Sequence, residues 1–169
     1  MKDVHPEKIR NVAFIAHQSA GKTTLCESLL HRTKSITRMG SIEDGNTASD
    51  YQADEISRQM SITSTLLVTK HKDVKLNLLD TPGFTDFSGE VISAVRVSDC
   101  ACVLIHATAG IEVGTELVWS FAKEQKIPCF FYLNHLDKEN VNFDKIIDDL
   151  TKRFLSLAIL QFPANPGSE

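Results

Sequence analysis

The sequence predicts an α/β domain with a doubly wound, mostly parallel sheet flanked by helices. Short apolar runs alternate with segments whose apolar residues recur at helical spacing, and the first run passes through a glycine-containing loop directly into such a segment. The length of 169 residues, with 42% hydrophobic and 24% charged residues, is typical of one globular domain. Because ligands bind such sheets at the carboxyl ends of the strands, polar residues that follow predicted strands form the candidate site.

Each predicted element has its own pattern. Apolar and polar residues alternate over 74–79, which predicts a strand with one polar face. Continuous apolar runs, typical of strands buried in a parallel sheet, occur at 12–15, 101–105 and 129–133. Apolar residues at helical spacing predict helices at 24–30, 87–95, 113–121 and 143–154, the last with Asn142 as its cap.

A long polar segment at about 33–61 interrupts this alternation. Loops of this length inside a compact domain are commonly functional, and residues 54–59 have a helix-like composition that would give the segment partial order. Composition alone also permits a disordered insertion.

The loop after the first strand has the strongest motif. Residues 16–23, A-H-Q-S-A-G-K-T, fit the phosphate-loop pattern G-x-x-x-x-G-K-[ST], with Ala16 in place of the first glycine. In this strand–loop–helix context the pattern predicts a P-loop NTPase, in which main-chain N–H groups and the helix dipole bind phosphate oxygens. Lys22 would add a cation, and the Thr23 hydroxyl a ligand for Mg²⁺. The predicted phosphate-binding residues are His17, Gln18, Ser19, Ala20, Gly21, Lys22, Thr23 and Thr24. The alternative is an ordinary strand–turn–helix with an incidental Gly-Lys pair.

Two further motifs follow predicted strands. Asp80-Thr81-Pro82-Gly83 ends the strand at 74–79, where the Asp80 carboxylate can reach Mg²⁺ and the Gly83 N–H can meet a γ-phosphate. Asn134-His135-Leu136-Asp137 ends the strand at 129–133. The Asp137 carboxylate can accept two hydrogen bonds from guanine that adenine does not offer, and Asn134 would brace the phosphate loop.

These motifs, in this order, resemble those of translational GTPases, and most closely the N-terminal nucleotide-binding domain of elongation factor G and its divergent paralogues. The sequences of residues 9–12, 90–99 and 115–119 are also similar to those of elongation factor G. The resemblance implies a domain over 1–169 that binds GTP and GDP and, within a longer protein, acts on the ribosome. It also implies that 33–61 is the loop called switch I and that switch II begins at Asp80. The implied catalytic residues are Lys22 and Gly83. The implied Mg²⁺ ligands are Thr23, Ser61 and Asp80, with Thr63 as an alternative to Ser61. The implied nucleotide-binding residues are those of the phosphate loop together with Asp80, Gly83, Asn134, His135 and Asp137.

Four departures from the family pattern stand out. Phe84 replaces the histidine that positions the attacking water, and phenylalanine can neither donate to water nor accept from it. Ser19 replaces an aspartate of the phosphate loop, and His135 replaces a lysine whose stem packs on the base. The family's last guanine-contacting loop and its ribosome-contacting domains would lie beyond Glu169, so we expect the domain to be truncated here.

Composition limits the partners and the cellular location that the chain can have. The formal net charge of −4 argues against nucleic-acid binding by a broad basic face, although a local RNA contact stays open. No apolar stretch is long enough to span a membrane and the N-terminal residues do not form a secretory signal, so we expect a cytoplasmic monomer. The four cysteines are expected to be buried thiols. Three alternatives remain: a guanine-nucleotide switch with little hydrolysis, an ATPase or small-molecule kinase, and an interaction module with a vestigial site.

Overall fold

The computed structural model describes residues 4–154 and 157–164, and within them the chain forms five strands and five α-helices. The strands are β1 Ile9–Ile15, β2 Thr65–His71, β3 Val74–Asp80, β4 Cys100–His106 and β5 Cys129–Asn134. The helices are α1 Lys22–Arg32, α2 Ala53–Arg58, α3 Ser88–Arg96, α4 Val113–Glu124 and α5 Phe143–Phe154. Residues 1–3, 155–156 and 165–169 of the predicted domain lie outside the described residues.

The strands form one sheet in the order β2-β3-β1-β4-β5. β1 pairs in parallel with both β3 and β4, and β4 pairs in parallel with β5. In this register Phe14, near the end of β1, lies beside Asp80 on β3 and Cys102 on β4. The carboxyl ends of the parallel strands therefore meet at one edge of the sheet, where the phosphate loop leaves β1.

Helices cover both faces, as expected for a doubly wound sheet. On one face α1 packs on β1, β3 and β4 through an apolar cluster that includes Cys26, Leu30 and Leu104. On the other face α3 and α4 pack on β1 and β4, and α5 packs on β4 and β5. The predicted α/β fold with a mostly parallel sheet is confirmed.

β2 is an element that the sequence pattern did not predict. It pairs antiparallel with β3 at the edge of the sheet, and its outward side chains Leu66 and Val68 are exposed. Apolar residues thus lie on both faces of β2, which hides the two-residue alternation expected of a half-buried strand.

β5 corrects a second expectation, because it is buried on one side only. Phe131 and Leu133 pack against α5, whereas Phe130 and Tyr132 point to the opposite face and are exposed by 43% and 40%. β5 is the edge strand of the described sheet, and the apolar cluster under α1 extends to Cys102 and Leu104 on β4 but includes no residue of β5.

The predicted cap of α5 is confirmed, whereas the expectation of four buried thiols holds only in part. Asn142 accepts a hydrogen bond from the Lys145 N–H at 3.0 Å and so caps α5. In the described chain all four cysteines are free thiols, and Cys26 and Cys102 are buried. Cys100 and Cys129, the first residues of β4 and β5, are half-buried. No helix within the described residues is both long and apolar enough to cross a membrane.

Candidate nucleotide-binding site

The phosphate loop is held in a tight turn between β1 and α1. Gly21 has φ +90° and Ser19 has φ 60°, both in the left-handed region, and α1 begins directly after Gly21. The Asn134 amide donates to the Ala20 carbonyl at 3.0 Å. A Cβ on Gly21 would lie 2.3 Å from Asn134 Nδ2, so only glycine fits at this position. Asn134 therefore braces the loop. The first N–H groups of α1 have no acceptor within the helix, as at any helix start, and can bind an anion.

Lys22 is the first residue of α1, and it is buried against the loop that precedes it. Its ammonium donates to the His17 carbonyl at 3.3 Å and to the Ala16 carbonyl at 3.5 Å. Burial lowers the pKa of Lys22, and the nearby Asp80 carboxylate opposes that shift. Gly83 lies against the same ammonium, because a Cβ on Gly83 would be 2.6 Å from Lys22 Nζ. The two implied catalytic residues are thus in close approach.

Hydroxyl and carboxylate groups gather beside the loop. Thr23 Oγ1 and Ser61 Oγ are 3.3 Å apart, and both side chains are buried. Asp80 is fully buried and accepts a hydrogen bond from the Ser49 hydroxyl at 2.7 Å through one oxygen. Its other oxygen has no hydrogen-bond partner among the described residues. Burial raises the pKa of Asp80 to about 6, and the hydroxyls of Ser49 and Thr23 act in the opposite direction.

This donor set fits a hard cation such as Mg²⁺. Two carboxylates, Asp50 and Asp80, retain buried oxygens without a partner in the described chain, and two hydroxyls lie next to each other. An ionised carboxylate in that position is costly unless a cation approaches it. Oxygen donors of this kind are the ligands that Mg²⁺ takes in phosphate sites. Thr63 is occupied elsewhere, since its hydroxyl bonds to Glu55 and Gln52, so Ser61 is the better-placed ligand of the two candidates.

An open cavity of about 460 Å³, a volume within the range of small-ligand sites, lies over the phosphate loop and the Thr23–Ser61 hydroxyl pair. Asp80 is fully buried and outside its lining, and Ala20 and Asn134 do not line it either. The cavity brings together most of the predicted site residues, namely Gln18, Ser19, Gly21, Lys22, Thr23, Thr24, Ser61, Gly83 and His135. Asp50 and Phe84 also line it. Asp137 does not line it and is exposed three residues beyond Asn134.

His17 faces α4 and not the cavity. Its Nε2 lies 3.4 Å from a carboxylate oxygen of Glu112, and a Cβ on Gly114 would be 2.3 Å from its Nδ1. The main chain of His17, which accepts from Lys22, is therefore its contribution to the loop.

His135 stacks on a second histidine. The rings of His135 and His106 are 4.2 Å apart at 21°, and His106 Nδ1 is 2.9 Å from the Thr108 hydroxyl. His135 itself adopts φ 59° and lies close to Gly21. The pair presents a flat imidazole face next to the phosphate loop, where a planar base can pack.

Sequence reasoning missed the residues that organise the 33–61 segment. Glu27 on α1 and Glu55 on α2 are buried carboxylates that accept main-chain hydrogen bonds from this segment and its end. Ser49 donates its hydroxyl to Asp80, and the Asp50 carboxylate is close enough to Asp80 to raise its pKa. No local pattern marks these residues; the one available signal is that Glu27 falls on the apolar side of α1, between Cys26 and Leu30.

The sequence pattern of the elongation factor Tu GTP binding domain family matches residues 7–168. This chain belongs to that family.

Relatives of this GTP-binding domain are translation factors by name. It is 36% identical over 156 residues to elongation factor G 2 of Borreliella afzelii (strain PKo), a match that covers 92% of this chain and 23% of that protein. It is 38% identical over 167 residues to the mitochondrial ribosome-releasing factor 2 of Danio rerio, covering 97% of this chain and 22% of that protein. A crystal structure of a Thermus thermophilus protein is similar with a TM-score of 0.85 and 33% identity, covering 88% of this chain and 22% of that one. The chain spans less than a quarter of each relative.

Asp50 supplies a first test of the metal donors. Asp50→Asn should stabilise the protein in EDTA by roughly 1–3 kcal/mol, because it removes a buried charge whose oxygens are unpaired. The same change should reduce the gain in GDP affinity that Mg²⁺ provides. Thermal unfolding in EDTA and GDP titrations with and without Mg²⁺ measure both effects. Asp148→Asn, an exposed change on α5, is the control. Destabilisation in EDTA with an unchanged Mg²⁺ effect would contradict this interpretation.

His135 predicts a pH dependence of stability. Burial, followed by the proximity of His106, lowers the pKa of His135 from 6.5, while Asp137 acts in the opposite direction. The unfolded chain therefore takes up this proton at a higher pH than the folded chain. The contribution of His135 to the free energy of unfolding is therefore fully present above pH 6.5. It is lost as the pH falls through 6.5 toward the lowered pKa.

We expect His135→Gln to lose less unfolding free energy than the wild type between about pH 7.5 and 5.5, since glutamine does not titrate. Urea unfolding at the two pH values measures the difference. Gln125→Asn, an exposed change that involves no ionisable group, is the control and should follow the wild type. Equal losses in His135→Gln and the wild type would show that His135 does not contribute.

Proposed function

We propose that this chain is the GTP-binding and GTP-hydrolysing domain of a translation factor that acts on the ribosome. The observation that carries the proposal is the convergence of the phosphate loop, the Lys22 ammonium, Gly83 and the Thr23–Ser61 hydroxyl pair around one cavity. The main-chain amides, the ammonium and the hydroxyls are groups that bind phosphate oxygens or the Mg²⁺ that accompanies a nucleoside triphosphate. We also propose that the domain is cytoplasmic and monomeric.

The residues divide between binding and reaction. Main-chain N–H groups of the loop bind the β-phosphate, helped by the partial positive charge at the start of α1. The Lys22 ammonium contacts the outer phosphates, and the Gly83 N–H contacts the γ-phosphate. Water attacks the γ-phosphorus in line with the bond to the β–γ bridging oxygen, that bond breaks, and the charge passes to the β-phosphate next to Lys22. Mg²⁺ held by Thr23, Ser61 and Asp80 would neutralise charge on the β- and γ-oxygens.

The base is selected beyond β5. Asp137 is exposed and able to accept both hydrogen bonds from the guanine N1–H and N2–H₂ groups. The imidazole of His135 supplies a face for the ring, and Asn134 couples this loop to the phosphate loop.

Asp137→Asn in the full-length protein should weaken GDP binding by about 10- to 100-fold, since a charge-assisted hydrogen-bond pair contributes ~1.5–3 kcal/mol. Competition of GDP, GTP and ATP against a fluorescent GDP analogue measures this change. Asp144→Asn, at an exposed position of α5, is the matched control. A preference of the wild type for ATP would favour the ATPase or kinase alternative, and no nucleotide binding at all would favour an interaction module.

A specific observation favours a second candidate, a guanine-nucleotide switch that hardly hydrolyses. Phe84 is 37% exposed at the rim of the cavity, directly after Gly83, and offers only carbon atoms to water there. The elongation factor G family, which this chain resembles, has its catalytic histidine at this position. Loss of such a positioned polar group costs about 10²–10⁴-fold in rate.

Phe84→His should therefore raise single-turnover GTP hydrolysis by about 10²-fold or more in the presence of ribosomes, with GDP affinity unchanged. Phe84→Leu, which keeps an apolar side chain, should leave the rate at the wild-type level. A wild-type rate that ribosomes already stimulate strongly, with no gain from Phe84→His, would mean that another group positions the water. A wild-type rate that ribosomes leave unchanged would support the switch candidate.

A further inference from the structure

A carboxylate on α1 holds two separated turns of the 33–61 segment. One oxygen of Glu27 accepts the Gly40 N–H at 2.8 Å, and the other accepts the Ala48 N–H at 2.6 Å. The side chain is 1% exposed although it lies on the helix that follows the phosphate loop. Both oxygens of this buried carboxylate are therefore satisfied by main-chain donors of one segment.

The residues between these two contacts form a closed turn. Asn46 Oδ1 accepts the Ser41 N–H at 2.8 Å, and a Cβ on Gly40 would come within 2.5 Å of the Asn46 carbonyl oxygen. The main chain at 40 and at 46 is thus in direct contact, and Glu27 fixes both ends of the turn to α1. Buried hydrogen bonds to a charged acceptor are among the stronger polar contacts in proteins.

The contact at Ala48 directly precedes, in the chain, two residues that lie next to the proposed metal donors. The Ser49 hydroxyl donates to Asp80, and the Ser49 carbonyl accepts from the Thr65 hydroxyl. Asp50 follows in the chain and lines the cavity. The other end of the segment has its own anchor, Glu55, which accepts the Ile62 and Thr63 N–H groups next to Ser61. Glu27 is the corresponding anchor for the first half, and it extends from the same helix as Thr23.

We propose that Glu27 is a positioning residue that sets the first half of the 33–61 segment over the metal and outer-phosphate end of the site. The inference rests on the proposed function, because it assigns Glu27 to the same nucleotide site. Glu27 does not contact nucleotide itself; it acts through the main chain at Gly40 and Ala48 and through Ser49 and Asp50. A diphosphate depends mainly on the phosphate loop, whereas a triphosphate also needs the groups that this segment brings.

The test compares two affinities in the full-length protein that contains this chain. Glu27→Gln keeps the size of the side chain but sets an NH₂ donor against a main-chain N–H. Affinity for a non-hydrolysable GTP analogue in Mg²⁺ should fall about tenfold more than affinity for GDP, which corresponds to the loss of one charge-assisted hydrogen bond. A merely structural role would lower both affinities equally. Glu124→Gln, an exposed change near the end of α4, should leave both affinities at the wild-type values.

Amide hydrogen exchange of the wild type gives a measurement that does not depend on a variant folding. The Gly40 and Ala48 amides should exchange at least tenfold more slowly than the exposed loop amide of Asn140, as expected for buried hydrogen bonds. Fast exchange at both amides would overturn the positioning role, as would an unchanged ratio of GTP-analogue affinity to GDP affinity in Glu27→Gln. In either case, GDP binding by the wild type would leave the proposed function standing. A wild type that binds neither guanine nucleotide would overturn the proposed function and this role with it.

Discussion

Three carboxylates, those of Glu27, Asp50 and Asp80, are buried close to the phosphate loop, and an ionised carboxylate cannot stay there without compensation. Each meets this constraint differently. The Glu27 carboxylate is satisfied by two main-chain N–H groups, that of Asp80 is half satisfied by the Ser49 hydroxyl, and that of Asp50 has no hydrogen-bond partner within the described chain. The buried ammonium of Lys22 offsets part of this charge. The uncompensated oxygens lie beside the hydroxyls of Thr23 and Ser61, so the electrostatic deficit coincides with the place where a metal–phosphate complex fits.

The elements that the sequence reveals are those whose signal is local. β1, β3 and β4 lie next to one another at the centre of the sheet, and their burial leaves continuous or alternating apolar runs that can be recognised from neighbours in sequence. The phosphate loop is equally local, because Gly21 must adopt φ +90° between a strand and a helix. β2 escaped prediction since its edge position leaves Leu66 and Val68 exposed. Glu27 escaped because its partners lie 13 and 21 residues away, in a segment with no regular pattern.

Two substitutions in the site keep the geometry of the loops while changing their chemistry. Ser19 stays in the left-handed region at φ 60°, so the loop keeps its turn without an acidic side chain. His135 keeps a left-handed φ of 59° and stacks on His106, which places one planar ring against another where the resembling family has a flexible lysine stem. A stacked imidazole has less conformational freedom than a lysine side chain, and less entropy is lost when a base packs on it. The His135–His106 stack would thus offer a flat surface to the base that we propose binds here.

Phe84 separates binding from reaction in this site. The groups that we propose bind phosphate are main-chain amides, Lys22 and Gly83, and the side chain of Phe84 supplies none of them. Hydrolysis needs one thing more, a water held in line with the γ-phosphate, and that water needs a polar neighbour. Phe84 lies at the cavity rim and also beside the apolar cleft formed by Leu117 and Phe121, so burial of its ring in that cleft would leave the water without a side-chain partner at this position. Under the proposed function, different residues would set the affinity of the site for nucleotide and its rate of hydrolysis, and tight binding would persist where hydrolysis is weak.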